Sequence, residues 1–581
     1  MFHIKFGKKI NKGFLPILLA LIAMLVVACE GGGGTTNITP TSAPAKAPAV
    51  QQILYLPLPV SDIPTFDPGL ASDQASVDAI NTVFTGMVQL NDQLQLTSQM
   101  ATTWTSSSDG LTWTFTLKSG LKFSDGSPLT SADVVYSIDR ALSPQVSNRS
   151  GEALTYLGLI KDSGKRMAGK IQNLINDSLL TPDANTVVIK LNSATAYFLQ
   201  ALAYPTSYVV EKKVITQWGL KWTDHMADNR GQGGAGPFMV SSYDHTKGIN
   251  LIPNPNYYGP RPNLTKLNFL FYKSLNTQYN AFKTGQLDET AIPSANYEQA
   301  STRSDFSKNP ELTISYYTMN YLIKPFDNIH VRQAFELALN KDVIAQAVYK
   351  GRMIPTCHIV PRGMPGYNPN LQCPGGAPTS GDATKARELF NQGLQEEKLT
   401  LARLPPIKIT YPKGNPEQDD EIRAAQQMWQ IVLGVNVQPD PIDFDMLLID
   451  LDKTINNAKG LQMWAIGWIA EYPDPRDWTT LQFDKGSPYN SSNYGQNKSS
   501  DTVQQQQVQK QLEQADVKTD VNARFQMYIQ AEQQLVNDVA WLPLWQDEAT
   551  RLLKPYVIGR VYNDLGLVPP NDWANVYIAQ H

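Results

Sequence analysis

Residues 14–28 form an unbroken apolar run only fifteen residues long. A bilayer-crossing helix needs roughly 20 apolar residues, so this run is too short to span one. Lys5, Lys8, Lys9 and Lys12 precede it with no acidic residue among them. That order, a positive stretch and then an apolar one, is a secretory signal. The chain that follows is therefore expected to fold outside the cytoplasm, in an oxidising compartment, and no later window has the length and apolarity of a membrane span. Hydrophobic residues make up 42% of the 581, with 25 Tyr, 19 Phe and 11 Trp, enough for a sizeable core.

Leu25-Val26-Val27-Ala28 directly before Cys29 resembles the bacterial lipoprotein cleavage motif. The resemblance implies a signal peptide over residues 1–28 and lipid on Cys29, which becomes the mature N-terminus. Acyl chains gain roughly 0.8 kcal/mol per buried CH₂, so a multiply acylated cysteine moors stably. Residues 29–52, rich in Gly, Thr, Ser and Pro, read as a flexible tether. Loss of four lysines from a chain of 49 basic and 53 acidic residues leaves a mature charge of −8. Mild acidity without basic clusters argues against nucleic acid. Besides Cys29 the chain has only Cys357 and Cys373. Two cysteines this close in an oxidising exterior predict one disulfide, with reduced buried thiols as the alternative.

Patterning indicates mixed helix and strand. Leu111, Trp113, Phe115 and Leu117 alternate with Thr112, Thr114, Thr116 and Lys118, the mark of a half-buried strand. Ser124-Asp125-Gly126-Ser127-Pro128 makes a turn. Thr130 then caps a helix with Asp133 at its third position. Residues 331–349 read as helical with a break near Asn340, and residues 501–540 as one or two long surface helices. Short strands are expected at 251–253, 407–411 and 463–468. The class is α/β or α+β, with no repeat.

Several blocks are more specific. Ser108-Asp109-Gly110-Leu111-Thr112-Trp113, Phe123-Ser124-Asp125-Gly126-Ser127-Pro128-Leu129-Thr130 and Ala132-Asp133-Val134-Val135-Tyr136 come first. Phe66-Asp67-Pro68, Gly236-Pro237-Phe238, Asn254-Pro255-Asn256-Tyr257-Tyr258, Gly285-Gln286-Leu287-Asp288, Pro325-Phe326-Asp327-Asn328 and Gly467-Trp468-Ile469-Ala470-Glu471-Tyr472-Pro473-Asp474-Pro475 lie in order around them. Together they resemble family 5 of the extracellular solute-binding proteins, the peptide-, dipeptide- and nickel-binding components of ABC importers, over residues 53–575. The resemblance implies two α/β lobes of the type II periplasmic-binding-protein kind, joined by two crossing strands that close on ligand like a hinge. Lobe I would comprise residues 53–317 and 545–581, with an accessory subdomain at about 75–230, and lobe II residues 318–544.

The resemblance also points to ligand contacts. Glu471 stands where peptide-binding members carry an acidic residue, usually Asp, that pairs with the peptide α-ammonium. Gly467, Trp468 and Ile469 on one lobe, and Ser72, Asp73 and Gln74 on the other, match the segments that sandwich an extended peptide. Asn320, near the interlobe crossing, is a further candidate, while no arginine stands out as a carboxylate clamp. The implied role is a monomeric, lipid-anchored receptor feeding peptides to a permease and its ATPase, on the outer face of the cytoplasmic membrane. A sugar-binding member is the competing reading, with Trp464, Trp468 and Trp478 as platforms. The six histidines form no metal-spaced pair, and no nucleophile elbow or phosphate loop occurs. Asp474 and Asp477 read as loop carboxylates. No catalysis, cofactor or metal is therefore expected.

Overall fold

The structure is a computed structural model and describes residues 44–149, 152–228 and 231–581. The signal segment 1–28 and Cys29 lie outside the described residues.

Four sheets of three or more strands, with two two-stranded ones, organise the described residues from Lys46 to His581. In the first, Ile53–Leu58 runs parallel to Lys266–Phe271, which pairs antiparallel with Gly248–Pro253, itself paired with Phe238–Asp244. Leu54, Leu56 and Leu58 point into the core while Tyr55 faces out, the period-two burial of a strand with one wet face. The second is an antiparallel sheet ordered Ala101–Ser106, Thr112–Leu117, Thr186–Lys190, Leu179–Asp183. Phe115 and Leu117 are buried in it, as the alternation predicts. Helix Ser131–Ala141 begins where Thr130 N–H donates to Asp133 Oδ2 at 2.8 Å. The core packed on this sheet draws on residues from Met87 to Ala203 together with Val209, Ala235 and Tyr472, whereas helix Gln74–Val83 and Tyr208, Val214 and Trp222 pack against the first sheet.

The largest sheet has six strands, ordered Ile354–Pro355, Leu542–Gln546, Thr313–Met319, Met463–Ile469, Ile407–Pro412, Val437–Ile442, of which the last three are mutually parallel. A three-stranded sheet, Glu289–Ala291, Glu548–Leu553, Phe306–Pro310, stands beside it. The chain crosses between the two twice: from Phe306–Pro310 into Thr313–Met319, and from Leu542–Gln546 into Glu548–Leu553. The crossing segments pair antiparallel on both sides, Pro310 with Glu548 and Ser315 with Trp545. The boundaries expected at 317/318 and 544/545 therefore fall inside strands bonded into one sheet. The changeover lies at residues 311–312 and 547.

Asn340 caps helix Lys341–Ala347 by accepting from Val343 N–H at 3.0 Å, which ends helix Ile329–Leu337 and produces the break. The Gln-rich segment forms two helices, Thr502–Asp516 and Val521–Asn537. Cys357 and Cys373 are joined by a disulfide. Within the stretch expected as tether, Ala47 and Gln52 are buried. Gln52 donates to Ala47 O and Ile578 O, both at 2.8 Å, and Ala47 N–H donates to Ile578 O. Polar residues amid Pro and Ala look like linker in sequence, yet here they satisfy the backbone of the chain's far end.

Candidate functional site

The direction of the six-stranded sheet locates a site. Ile469 pairs with Thr313, at the hinge, and Met463 with Met319, away from it. All three parallel strands therefore point their carboxyl ends toward the hinge and first lobe, where open α/β sheets receive ligands. Glu471 follows directly after one of these ends.

Strand Met463–Ile469 is paired along its length with Thr313–Met319, but with Ile407–Pro412 only at Met463 and Trp464. Among the described residues its hinge-side half thus has one edge without a strand partner. Gly467 on that half is exposed, and a Cβ there would meet nothing closer than 3.5 Å, so the fold does not demand glycine. Ile469 is 70% exposed. Trp468 turns to the other face, its indole N–H donating to Asp477 Oδ2 at 3.3 Å and its ring edge-on to Tyr489 at 5.3 Å.

Glu471 is partly buried and accepts from Tyr156 O–H at 2.7 Å. Its backbone N–H donates to Asp477 Oδ2 at 2.9 Å, while Asp477 Oδ1 is buried with no partner. Burial raises the Glu471 carboxyl above the ordinary range, against the lowering pull of the Tyr156 hydrogen bond. Burial pushes Asp477 up as well, and the Glu471 charge beside it adds to the effect. Among the described residues neither carboxylate forms a salt bridge.

Tyr156, from helix Glu152–Leu157 of the accessory unit, stacks on Tyr204 with centroids 3.7 Å apart, and Tyr204 O–H donates to Ala71 O at 3.4 Å. This relay links Glu471 to the segment containing Ser72, Asp73 and Gln74. Ser72 and Gln74 are exposed. Asp73 caps helix Gln74–Val83, accepting from Ser76 N–H at 2.9 Å, and leaves Oδ2 buried without a partner. Gln74 donates to Asp78 at 2.8 Å. A second contact stacks Tyr472 on Tyr197 at 5.1 Å, with the Arg476 guanidinium 4.6 Å from the Tyr197 centroid.

Asn320 does not join them. It is fully buried; its amide donates to Asn457 O and Leu461 O, and its Oδ1 accepts from Leu322 N–H and Asn493 Nδ2. Every function of the side chain is taken by the second lobe itself, so Asn320 is structural. Trp464 and Trp478 are likewise fully buried and offer no sugar platform. The two loop carboxylates part company: Asp474 forms a buried bidentate pair with Arg524 at 2.6 and 2.5 Å, whereas Asp477 accepts from the Glu471 backbone. Tyr156, Tyr204 and Asp477 had no sequence signal, since only the fold brings them to Glu471. No group of three or more His, Cys, Asp or Glu that could hold a metal occurs among the described residues.

The sequence model of the bacterial extracellular solute-binding proteins, family 5, matches residues 95–491. The chain belongs to that family. It is 27% identical to the oligopeptide-binding protein OppA of Bacillus subtilis over 542 residues, covering 92% of this chain and 94% of OppA. It is 25% identical to the dipeptide-binding protein DppE of the same organism over 509 residues, covering 87% and 88%. The unliganded open form of the periplasmic murein tripeptide-binding protein MppA superposes with a TM-score of 0.75 at 22% identity, covering 93% of this chain and 99% of MppA. This family 5 member shares that two-lobed fold.

Proposed function

We propose that the chain is a peptide receptor of an ABC importer, taking an extended peptide between Ser72-Asp73-Gln74 and the open edge at Gly467-Trp468-Ile469. Glu471 receives the peptide α-ammonium, and Asp477 holds the Glu471 backbone and the Trp468 indole in place. The observation that carries this reading is the pair of desolvated carboxylates just beyond a strand end, neither in a salt bridge among the described residues, in a chain whose relatives are named for oligopeptides and dipeptides. Main-chain pairing tolerates any side chain, and an exposed glycine admits a close backbone approach. The peptide leaves unaltered; ATP bound to other subunits drives its passage. The whole is a monomer held to the outer face of the cytoplasmic membrane by lipid on Cys29.

Glu471→Gln tests the assignment. With a free peptide the variant loses about 1.5–3 kcal/mol of affinity, the worth of a charged hydrogen bond. With the N-acetylated peptide it binds like the parent. Equal losses for both peptides in calorimetry would refute the ammonium contact.

A further inference from the structure

The antiparallel hairpin of Val88–Leu90 and Leu96–Ser98 carries an unusual residue at its tip. Asn91 N–H donates to Gln95 O at 3.0 Å and Leu94 N–H to Asn91 O at 3.1 Å, closing a three-residue loop, Asp92-Gln93-Leu94. The last position of such a loop takes the left-handed backbone and suits glycine. Here it is Leu94, at a φ of 57°. A branched aliphatic residue seldom adopts that conformation, and it persists only where the surroundings over-determine it. Asp92, Gln93 and Gln95 around it are exposed, whereas Leu94 is 3% exposed.

The root of the hairpin belongs to the first lobe, with Met87 and Val88 buried in the core on the second sheet. The tip does not. Leu94 joins the apolar cluster of the second lobe, whose other buried members begin at the crossing residue Leu312 and include Ile314, Tyr316 and Trp478. Ile466, Trp468 and Ala470, partly buried, pack on the same cluster. The main chain ties this place together. Leu312 N–H donates to Asp564 O of the first lobe at 3.1 Å, and Ala470 N–H donates to Leu312 O at 2.9 Å. The residue before Glu471 thus hangs from the crossing, beside the cluster that the hairpin tip enters.

We propose that Leu94 is a positioning residue, wedged from the first lobe into the apolar cluster at the crossing and fixing the segment that carries Glu471. The wedge accounts for a leucine where the turn alone would take glycine. Its bearing on peptide capture rests on the peptide reading above; its hold on the segment does not.

Leu94→Asn tests this, because asparagine accepts the left-handed backbone but removes the apolar wedge. Hydrogen exchange of the purified protein, followed by mass spectrometry, is expected to run about fivefold faster in segment 465–472 of the variant, while helices Ser131–Ala141 and Ile329–Leu337 keep their rates. Leu94→Met, apolar and of similar volume, keeps the parent rates throughout. In native mass spectrometry with a random tetrapeptide library, Leu94→Asn retains about fivefold less peptide than the parent, since a loosened site must be ordered on binding. Faster exchange confined to residues 88–98 overturns the proposal, as does a variant that melts higher with segment 465–472 unmoved, because the strain then serves the hairpin alone. Undiminished peptide retention by a variant with a loosened segment overturns it too. Should Leu94→Asn not fold, Leu94→Ala carries the same readings. If the parent itself retains no peptide, the peptide reading fails on its own and the exchange rates alone decide the wedge.

Discussion

Glu471 and Asp477 are acids held largely out of water, neither in a salt bridge among the described residues, and their titration carries the consequences. The Glu471 carboxyl is raised above its ordinary 4.5. A carboxyl raised on folding contributes stability that is complete below its unfolded value and is lost as pH rises through its folded value. An ammonium partner reverses the preference, since it needs the ionised form. Affinity for a free-amine peptide is therefore expected to climb with pH across the raised Glu471 titration, while that for the N-acetylated peptide stays flat. Tyr156→Phe removes the hydrogen bond that lowers this group, so the climb moves to higher pH. Calorimetry across pH 5–8 checks both, and an unmoved profile in the variant counts against the contact. Asn320→Ala should behave oppositely, losing about 2–4 kcal/mol of unfolding free energy with its buried hydrogen bonds while the folded protein keeps its affinity within about twofold. Glu471 stands out in the sequence because it closely follows an apolar strand inside a recognisable block. Asn320 closes loops at the strand end away from the hinge, and an amide that does so has the same one-dimensional appearance as one that meets a ligand. Asp477 sits in a proline-bounded loop whose path no periodicity reveals.

Helix Pro416–Leu433 delivers Glu421 into the core of the second lobe, where it accepts from Tyr317 O–H at 2.6 Å and Tyr349 O–H at 2.5 Å. Burial pushes this acid up from 4.5 to about 7. Its stabilising contribution is thus whole below pH 4.5 and fades through pH 7, on the order of 3 kcal/mol in all. Glu421→Gln should remove that slope, so that urea midpoints at pH 5 and pH 8 differ less in the variant than in the parent. An unchanged difference would assign the slope elsewhere. At this scale the strand alternation at 111–117, the Thr130 cap and the helix break at Asn340 were readable because each depends on neighbours in sequence. The end of the tether was not, because Gln52 is ordered by Ile578, 526 residues away.

The two lobes are joined by strands that cross at residues 311–312 and 547, and the Tyr156–Glu471 and Tyr197–Tyr472 contacts lie between the accessory unit and the second lobe. Hinge motion about so narrow a join predicts that ligand reduces the radius of gyration in X-ray scattering. A curve identical with and without a peptide that calorimetry shows to be bound would exclude a moving hinge. The docking of residues 46–52 onto residues 578–579 has a mechanical corollary. Residues 46–52 and 578–579 share one patch of the first lobe, so a pull applied at either of them is taken up by that lobe and does not pass through the joint. The second lobe stays free to swing whichever of the two is held.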